Sequence, residues 1–228
     1  LTLHYHGTPI TPLSVLESLA GKCFCVSYAH PANLQRCHEI GQSVMLDNGA
    51  FSLWRSGTPT DWAKFYAWAG PWLECPTTWG VIPDVIDGNE FDNWMLALEC
   101  PFPRHKMAPV WHLHESIDYL RHLVDGWPRV CFGSSGQYAE VGTPAWHGRI
   151  QEAFDAVWDR RPQIHMLRGM RCCKMSYPFY SVDSTDVARN HHAAKRGPLQ
   201  GQAMANSWDT FQCPVTYTPR PRAQEWIA

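Results

Sequence analysis

Three aspartates stand in similar surroundings in this sequence. Asp47 closes an apolar run in MLDNGAF, Asp84 follows Pro83 in VIPDVIDG, and Asp183 ends another run in SVDSTDVARN. Carboxylates gathered over one cavity can divide acid/base and covalent chemistry between them, as in retaining glycosidases. Each Asp also has a structural alternative, because this residue is frequent at strand ends as a turn former or helix cap. Asn48 and Gly49 allow a tight turn or a close ligand approach behind Asp47, and Pro83 fixes a backbone angle just ahead of Asp84. Other polar residues close further runs: His4 and His6, His30, Asp87, His112 and His114, Arg168, and Asp186. CFGSSGQY places Gly133, Ser134 and Ser135 at one such end, where backbone N–H groups can meet a flat heterocycle or a phosphate; a plain Gly-Ser turn is the alternative.

These residues need elements to carry them. Strand-like runs occur at 1–6, 23–28, 43–47, 79–84, 108–112, 129–134, 163–169 and 179–184, several of them β-branched and aromatic-rich. Segments with helical spacing lie between them at 60–73, 89–99, 115–125 and 144–159. Thr60 and Asp61 offer caps for the first, and Pro144 suits the start of the last. Eight strands in 228 residues leave about 28 residues per unit, which predicts one (β/α)8 TIM barrel spanning residues 1–228. A doubly wound open sheet is the runner-up, but the first turn, HYHGTPITP, lacks the glycine pattern of a dinucleotide loop. Barrel enzymes place their functional groups where strands end, so the aspartates are expected to converge over one mouth.

Composition narrows the classes. With 45% hydrophobic, 18% charged and 13% aromatic residues, the chain is too apolar to be disordered. A net charge of −2 gives no global pull on nucleic acid, so any basic surface must be local. Positive charge does gather late in the chain: Arg168, Arg171 and Lys174, then Arg189, Lys195 and Arg196, then Arg220 and Arg222. Such a rim suits phosphate contacts; a solvated mixed surface is the alternative. The apolar runs are too short for a membrane-spanning helix, so no membrane partner is expected. The N-terminal LTLHYHGTPI does not read as a secretory signal. Nine scattered cysteines read as reduced thiols of a cytoplasmic protein.

The ordered motifs resemble the tRNA-guanine transglycosylases, most of all their phage and bacterial DNA-modifying relatives. The resemblance covers roughly residues 1–190 and implies a (β/α)8 barrel that exchanges guanine in a nucleic acid for a 7-deazaguanine, preQ0-like base. The family's Asp-Ser-Gly-Gly-Phe motif is similar to DNGAF (47–51), with Ala50 for the second Gly; this implies acid/base work for Asp47 and a substrate contact for Phe51. Asp84 in VIPD resembles the aspartate that reads the base edge. WHLHE stands where the family has Gln-Gly-Gly, which leaves His112 as the base contact there. CFGSSG resembles the Gly-rich strand under the base, implying Gly133 and Ser134. Asp183, in VDSTDVARN, resembles the nucleophile. The implied partners are DNA, with tRNA as the alternative polymer, and the free deazaguanine base; a homodimer is left open. The implied location is the cytoplasm, the host's if a phage encodes the chain. Tyr28, Trp111 and Tyr138 are further aromatic candidates for stacking on an extruded base, with core packing as the alternative.

The tRNA enzymes carry a Cys-x-Cys-x-x-Cys and a later His that bind structural zinc after the nucleophile. Beyond Asp183 this chain has only Cys213 with His191 and His192, and the adjacent Cys172 and Cys173 suit one tetrahedral ion poorly. No cofactor and no zinc of the family type are therefore expected, nor is there length for an added RNA-binding domain. A retaining glycosidase or nucleosidase and a non-catalytic nucleic-acid-binding subunit remain as other readings. Elemental analysis should find no stoichiometric zinc, and chelators should leave the fold intact; zinc on Cys213 with His191 or His192 would overturn this.

Overall fold

The short β-branched and aromatic runs do form strands, and a computed structural model describes residues 1–191 and 199–220 of the chain. The strands are β1 (Leu3–Gly7), β2 (Cys23–Ser27), β3 (Ser43–Asp47), β4 (Thr78–Val81), β5 (Met107–Ala108), β6 (Val110–His112), β7 (Arg129–Gly133), β8 (Gln163–Met166) and β9 (Ser181–Ser184). Their spatial order is β5-β4-β3-β2-β1-β9-β8-β7-β6, with every pair parallel. β5 and β6 are halves of one stretch. Pro109 between them has no N–H for the ladder, so β5 pairs with β4 while β6 pairs with β7. The two ends of the sheet therefore meet in the chain itself, and the fold is a TIM barrel, as expected, with its fifth strand split.

Side chains alternate across each strand. Tyr5, Cys25, Met45, Val81, Val110 and Cys131 fill the barrel, while Phe24, Leu46, Phe132, Ile164, Met166 and Val182 face the surrounding helices. The floor is tied by polar atoms: Trp79 Nε1 donates to the Tyr5 hydroxyl at 2.9 Å, and the Arg129 guanidinium lies 4.2 Å over the Trp79 ring.

The four helices expected from the sequence form near their expected positions, each with the cap its sequence supplies. In chain order, α1 (Leu13–Glu17), α2 (Leu34–Ile40) and α3 (Ala50–Ser56) precede α4 (Trp62–Leu73), whose Lys64 N–H donates to Asp61. Next, α5 (Glu90–Leu98) starts from a reciprocal Asn89–Asp92 capping box and α6 (Ile117–Gly126) from Ser116. Thr143 caps α7 (Pro144–Val157), which buries Trp146, Ile150 and Phe154 against the sheet. α8 (Asp186–Asn190) and α9 (Leu199–Asp209) follow β9. α1, α2, α3 and α8 carry too few turns to show a period in sequence, and α9, though longer, is not expected from it either. No described helix is long and apolar enough to cross a membrane.

Some expected boundaries move. The run 79–84 stops pairing at Val81, leaving Asp84 on the loop beyond, and 163–169 stops at Met166, before a left-handed Arg168 with φ of 54°. His4 and His6 fall on the outward phase of β1. They face α9, with His4 Nδ1 and His6 Nε2 at 3.7 and 3.8 Å from Asp209 Oδ1, and so are not at the mouth.

Phe154 is fully buried, with its ring centroid 5.3 Å from Phe179 and 5.9 Å from Phe132. Phe154→Ala is expected to destabilise the barrel by about 3–5 kcal/mol, read as a lower urea midpoint at an unchanged m value.

Candidate active site

Two steps along a strand from a buried interior residue comes the next inward residue. At the C-terminal ends that step yields Asp47 after Met45, His112 after Val110, Gly133 after Cys131 and Asp183 after Ser181. Asp84 arrives on the loop after β4. The strand-end aspartates thus share one end of the barrel, close enough that Asp183 and Asp84 both act on Asp47 electrostatically.

Asp47 is half-buried and meets the end of β2 in register with Ser27. Burial pushes its carboxyl up to about 6; the Ser27 hydroxyl and the Gly49 N–H oppose this, and the charges of Asp183 and Asp84 add to it. Gly49 is required behind it: φ is 75°, and a Cβ there would lie 3.0 Å from the Ala29 nitrogen. Asn48 turns inward, donating through Nδ2 to Ile82 O at 2.8 Å and to Asp84 Oδ1 at 2.7 Å, while its Oδ1 accepts from the Ala50 N–H.

Asp84 is buried, and its second oxygen lies 2.9 Å from His112 Nε2. Burial alone would lower the His112 pKa, but the Asp84 bond and charge, with Glu115, outweigh it and hold the ring above its usual value; Arg168 opposes. The Asp84 carboxylate therefore favours the protonated form of His112. The pair is anchored from behind. Glu115 accepts from the His112 N–H at 2.7 Å and from Asn93 Nδ2 at 2.9 Å, and Asn93 Oδ1 accepts from the Val85 N–H.

Gly133 lies under this imidazole, where a Cβ would come 3.2 Å from His112 Nδ1. The Ser134 hydroxyl turns to α7 and accepts from Trp146 Nε1 at 3.0 Å. His114 stacks on His112 and bonds to Ser135. A shallow depression of about 360 Å³, lined by Gly88, Asn89, Glu90, Phe91, His114 and Glu115, flanks this side of the mouth. The carboxylate cluster lies beside it, within the barrel end.

Asp183 is buried, and its Oδ1 accepts from the Arg168 N–H at 2.6 Å and faces His165 Nε2 at 3.3 Å. Burial lowers the His165 pKa, so the ring is neutral. With Nε2–H directed at the carboxylate, Nδ1 accepts from the Ser181 hydroxyl at 2.8 Å. Asp183 Oδ2 has no hydrogen-bond partner among the described residues.

Arg168 spans the opening. Its main chain holds Asp183, while its guanidinium lies 4.3 Å over the Phe51 ring on α3. Phe51 is exposed, whereas the other aromatic candidates are engaged elsewhere. Trp111 is fully buried behind β6, Tyr28 packs on Phe65 and Trp68, and Tyr138 sits beside Arg149. Arg171 and Lys174 are exposed in the β8–β9 connection, with Lys174 over the Trp208 and Phe211 rings, and Arg189 is exposed on α8. Lys195, Arg196, Arg222 and His192 lie outside the described residues. Among the described residues no group of three or more His, Cys, Asp or Glu is arranged to hold a metal ion.

Sequence reasoning missed Asn48, Asn93, Glu115 and His165. Only His165 carried a usable signal: it shares the inward phase of its strand. The other three join elements distant in sequence.

No family model matches the chain, and no curated protein matches it significantly. Among solved structures, a suspected fructose-1,6-biphosphate aldolase from Coccidioides immitis superposes with a TM-score of 0.54 at 12% identity, covering 92% of this chain and 91% of that one. That likeness concerns the fold alone.

The raised Asp47 pKa has a consequence for stability. The native state holds this proton more tightly than the unfolded chain does, so the charged form costs stability above about pH 6 and the cost fades toward about pH 4. Asp47→Asn is therefore expected to stabilise the fold at about pH 8, by at most about 3 kcal/mol, with the gain vanishing near pH 4. Urea denaturation of both proteins across that range measures it.

Proposed function

We propose that this barrel is a base-exchange transglycosylase that replaces guanine in DNA by a 7-deazaguanine, preQ0-like base through a covalent aspartyl–sugar intermediate. The observation that carries the reading is the contrast between two carboxylates at one mouth. Asp47 holds its proton to about pH 6, whereas Asp183 has one oxygen fixed by the Arg168 N–H and His165 and the other without a partner. One is set for proton transfer and the other for attack.

In the first half-reaction Asp183 Oδ2 bonds to the sugar C1′ as the bond from C1′ to guanine breaks. The electron pair leaves with the base, which takes the Asp47 proton. In the second half, the incoming deazaguanine gives its ring N–H proton to Asp47 and attacks C1′, releasing Asp183. Two displacements restore the starting configuration. Asp84 accepts hydrogen bonds from the base edge. His112 and Asn48 hold Asp84 in place, and His112 keeps its charge balanced. A base within a duplex is out of reach, so the target nucleotide enters flipped or single-stranded.

Carbon–carbon cleavage of the kind named for the structural neighbour is less well supported. A Schiff-base route needs a lysine at the mouth. Among the described residues, Lys22 pairs with Asp209, Lys64 with Asp61, Lys106 with the Cys75 and Thr78 carbonyls, and Lys174 covers Trp208 and Phe211; Lys195 lies outside them.

The test incubates the protein with DNA or tRNA and a radiolabelled deazaguanine base, and counts label on each polymer. Label on DNA supports the proposal, label on tRNA alone moves the substrate, and guanine release without incorporation makes the protein a nucleosidase. Asp183→Asn is expected to abolish the covalent protein–DNA adduct, and Asp47→Asn to slow exchange by about 10²–10⁴-fold. Asp84→Asn should weaken base binding by about 1–3 kcal/mol, because an amide turns a donor toward the base's donors. An adduct with Asp183→Asn but none with Asp47→Asn would reverse the two roles. Full exchange in all three variants would remove the enzyme reading.

A further inference from the structure

A βα unit needs one helix, yet two follow β3. α4 supplies the packing, burying Phe65, Ala69 and Leu73. α3 buries only Ala50, while Phe51 is 38% exposed and Trp54 is 49% exposed. Its sequence, AFSLWRS, contains no acidic residue and ends in the exposed Arg55 before a left-handed Gly57. The Phe51 and Trp54 rings lie 5.9 Å apart at 37°, and Arg168 covers Phe51 from the opposite rim. An element that contributes so little to the core and leaves two aromatic rings partly exposed, on a helix that starts three residues after Asp47, is built to meet something there.

The charge around it selects the visitor. Asp47, Asp84 and Asp183 make the interior of the mouth acidic, whereas Arg55 and Arg168 place positive charge on its rim. A polyanion with flat uncharged faces fits both: its phosphates stay on the rim while its bases lie against the rings.

We infer that α3 is a stacking wedge for single-stranded DNA, with Trp54 and Phe51 taking the bases next to the extruded nucleotide and Arg55 their phosphates. This rests on the nucleic-acid reading of the same mouth and names the surface that holds the polymer. Stacking tolerates any base, so α3 holds the strand without choosing its sequence. Choice among bases falls to the Asp84 side of the mouth.

The experiment titrates the full chain into a fluorescein-labelled single-stranded oligonucleotide, followed by anisotropy. A second oligonucleotide carries 2-aminopurine next to the target guanine. Trp54→Ala is expected to weaken binding about 5- to 100-fold and to reduce the 2-aminopurine quench, with Trp54→Phe restoring most of both. Tyr180→Ala, which removes an exposed ring at the opposite end of the barrel, should bind like the parent. Equal affinity and equal quench for Trp54→Ala would overturn the wedge, as would failure of the parent to bind the oligonucleotide. The two readings separate cleanly. Trp54-dependent binding without adduct or exchange leaves the wedge and removes the transglycosylase, whereas adduct formation with Trp54-independent affinity does the reverse.

Discussion

In a closed barrel of parallel strands, alternate side chains have nowhere to go but the interior, and all strands end on the same side. A polar residue on the inward phase is costly in the middle of such a strand and tolerable at its last position, where the barrel meets solvent. Met45 followed by Asp47, and Ser181 by Asp183, obey this constraint. So do Val110 and His112 on the far side. Two-residue periodicity thus does more than build a core: it delivers functional groups from distant parts of the sequence to one ring. Pro109 preserves the arrangement, since breaking the ladder there gives the fifth strand two partners, β4 below the break and β7 beyond it.

Bringing three carboxylates to one ring has an electrostatic cost that the surroundings distribute unevenly. Asp84 receives the imidazole of His112 and an amide in Asn48. Asp183 receives a main-chain N–H and a neutral imidazole. Asp47 has the Gly49 N–H and lies beside Ser27, and neither carries a charge. Burial, with the charges of Asp183 and Asp84 beside it, pushes the Asp47 carboxyl up to about 6. Unequal surroundings thus set one carboxyl apart within a chemically uniform set of residues.

The barrel was legible because its evidence is local. Strand runs, the Asp61 cap and the helix start at Pro144 each report on their own few residues, and the structure uses them. The helices α1, α2, α3 and α8 were not legible, being too short for a period to emerge, and the longer α9 was missed because its apolar residues do not gather on one face. At the mouth, the strand-end aspartates could be read from position alone. What could not be read was the web between them. Asn48 resembles an ordinary turn residue until Asp84 is known to lie beside it, and Asn93 and Glu115 serve a histidine on another strand. His4 and His6 show the reverse case, where suggestive residue types stood on the wrong phase of β1.

The hydrogen bond from Arg168 to Asp183 comes from the main chain, while the guanidinium of the same residue reaches the opposite rim. Any residue that tolerates the left-handed backbone there, glycine or asparagine most readily, supplies that N–H. Mutation at this position can therefore remodel the entrance, changing its charge or width, while the Asp183 carboxylate keeps its main-chain donor. In evolutionary terms the two properties are inherited separately at one codon. Descendants of this barrel can reshape its rim without first disturbing the carboxylate inside it.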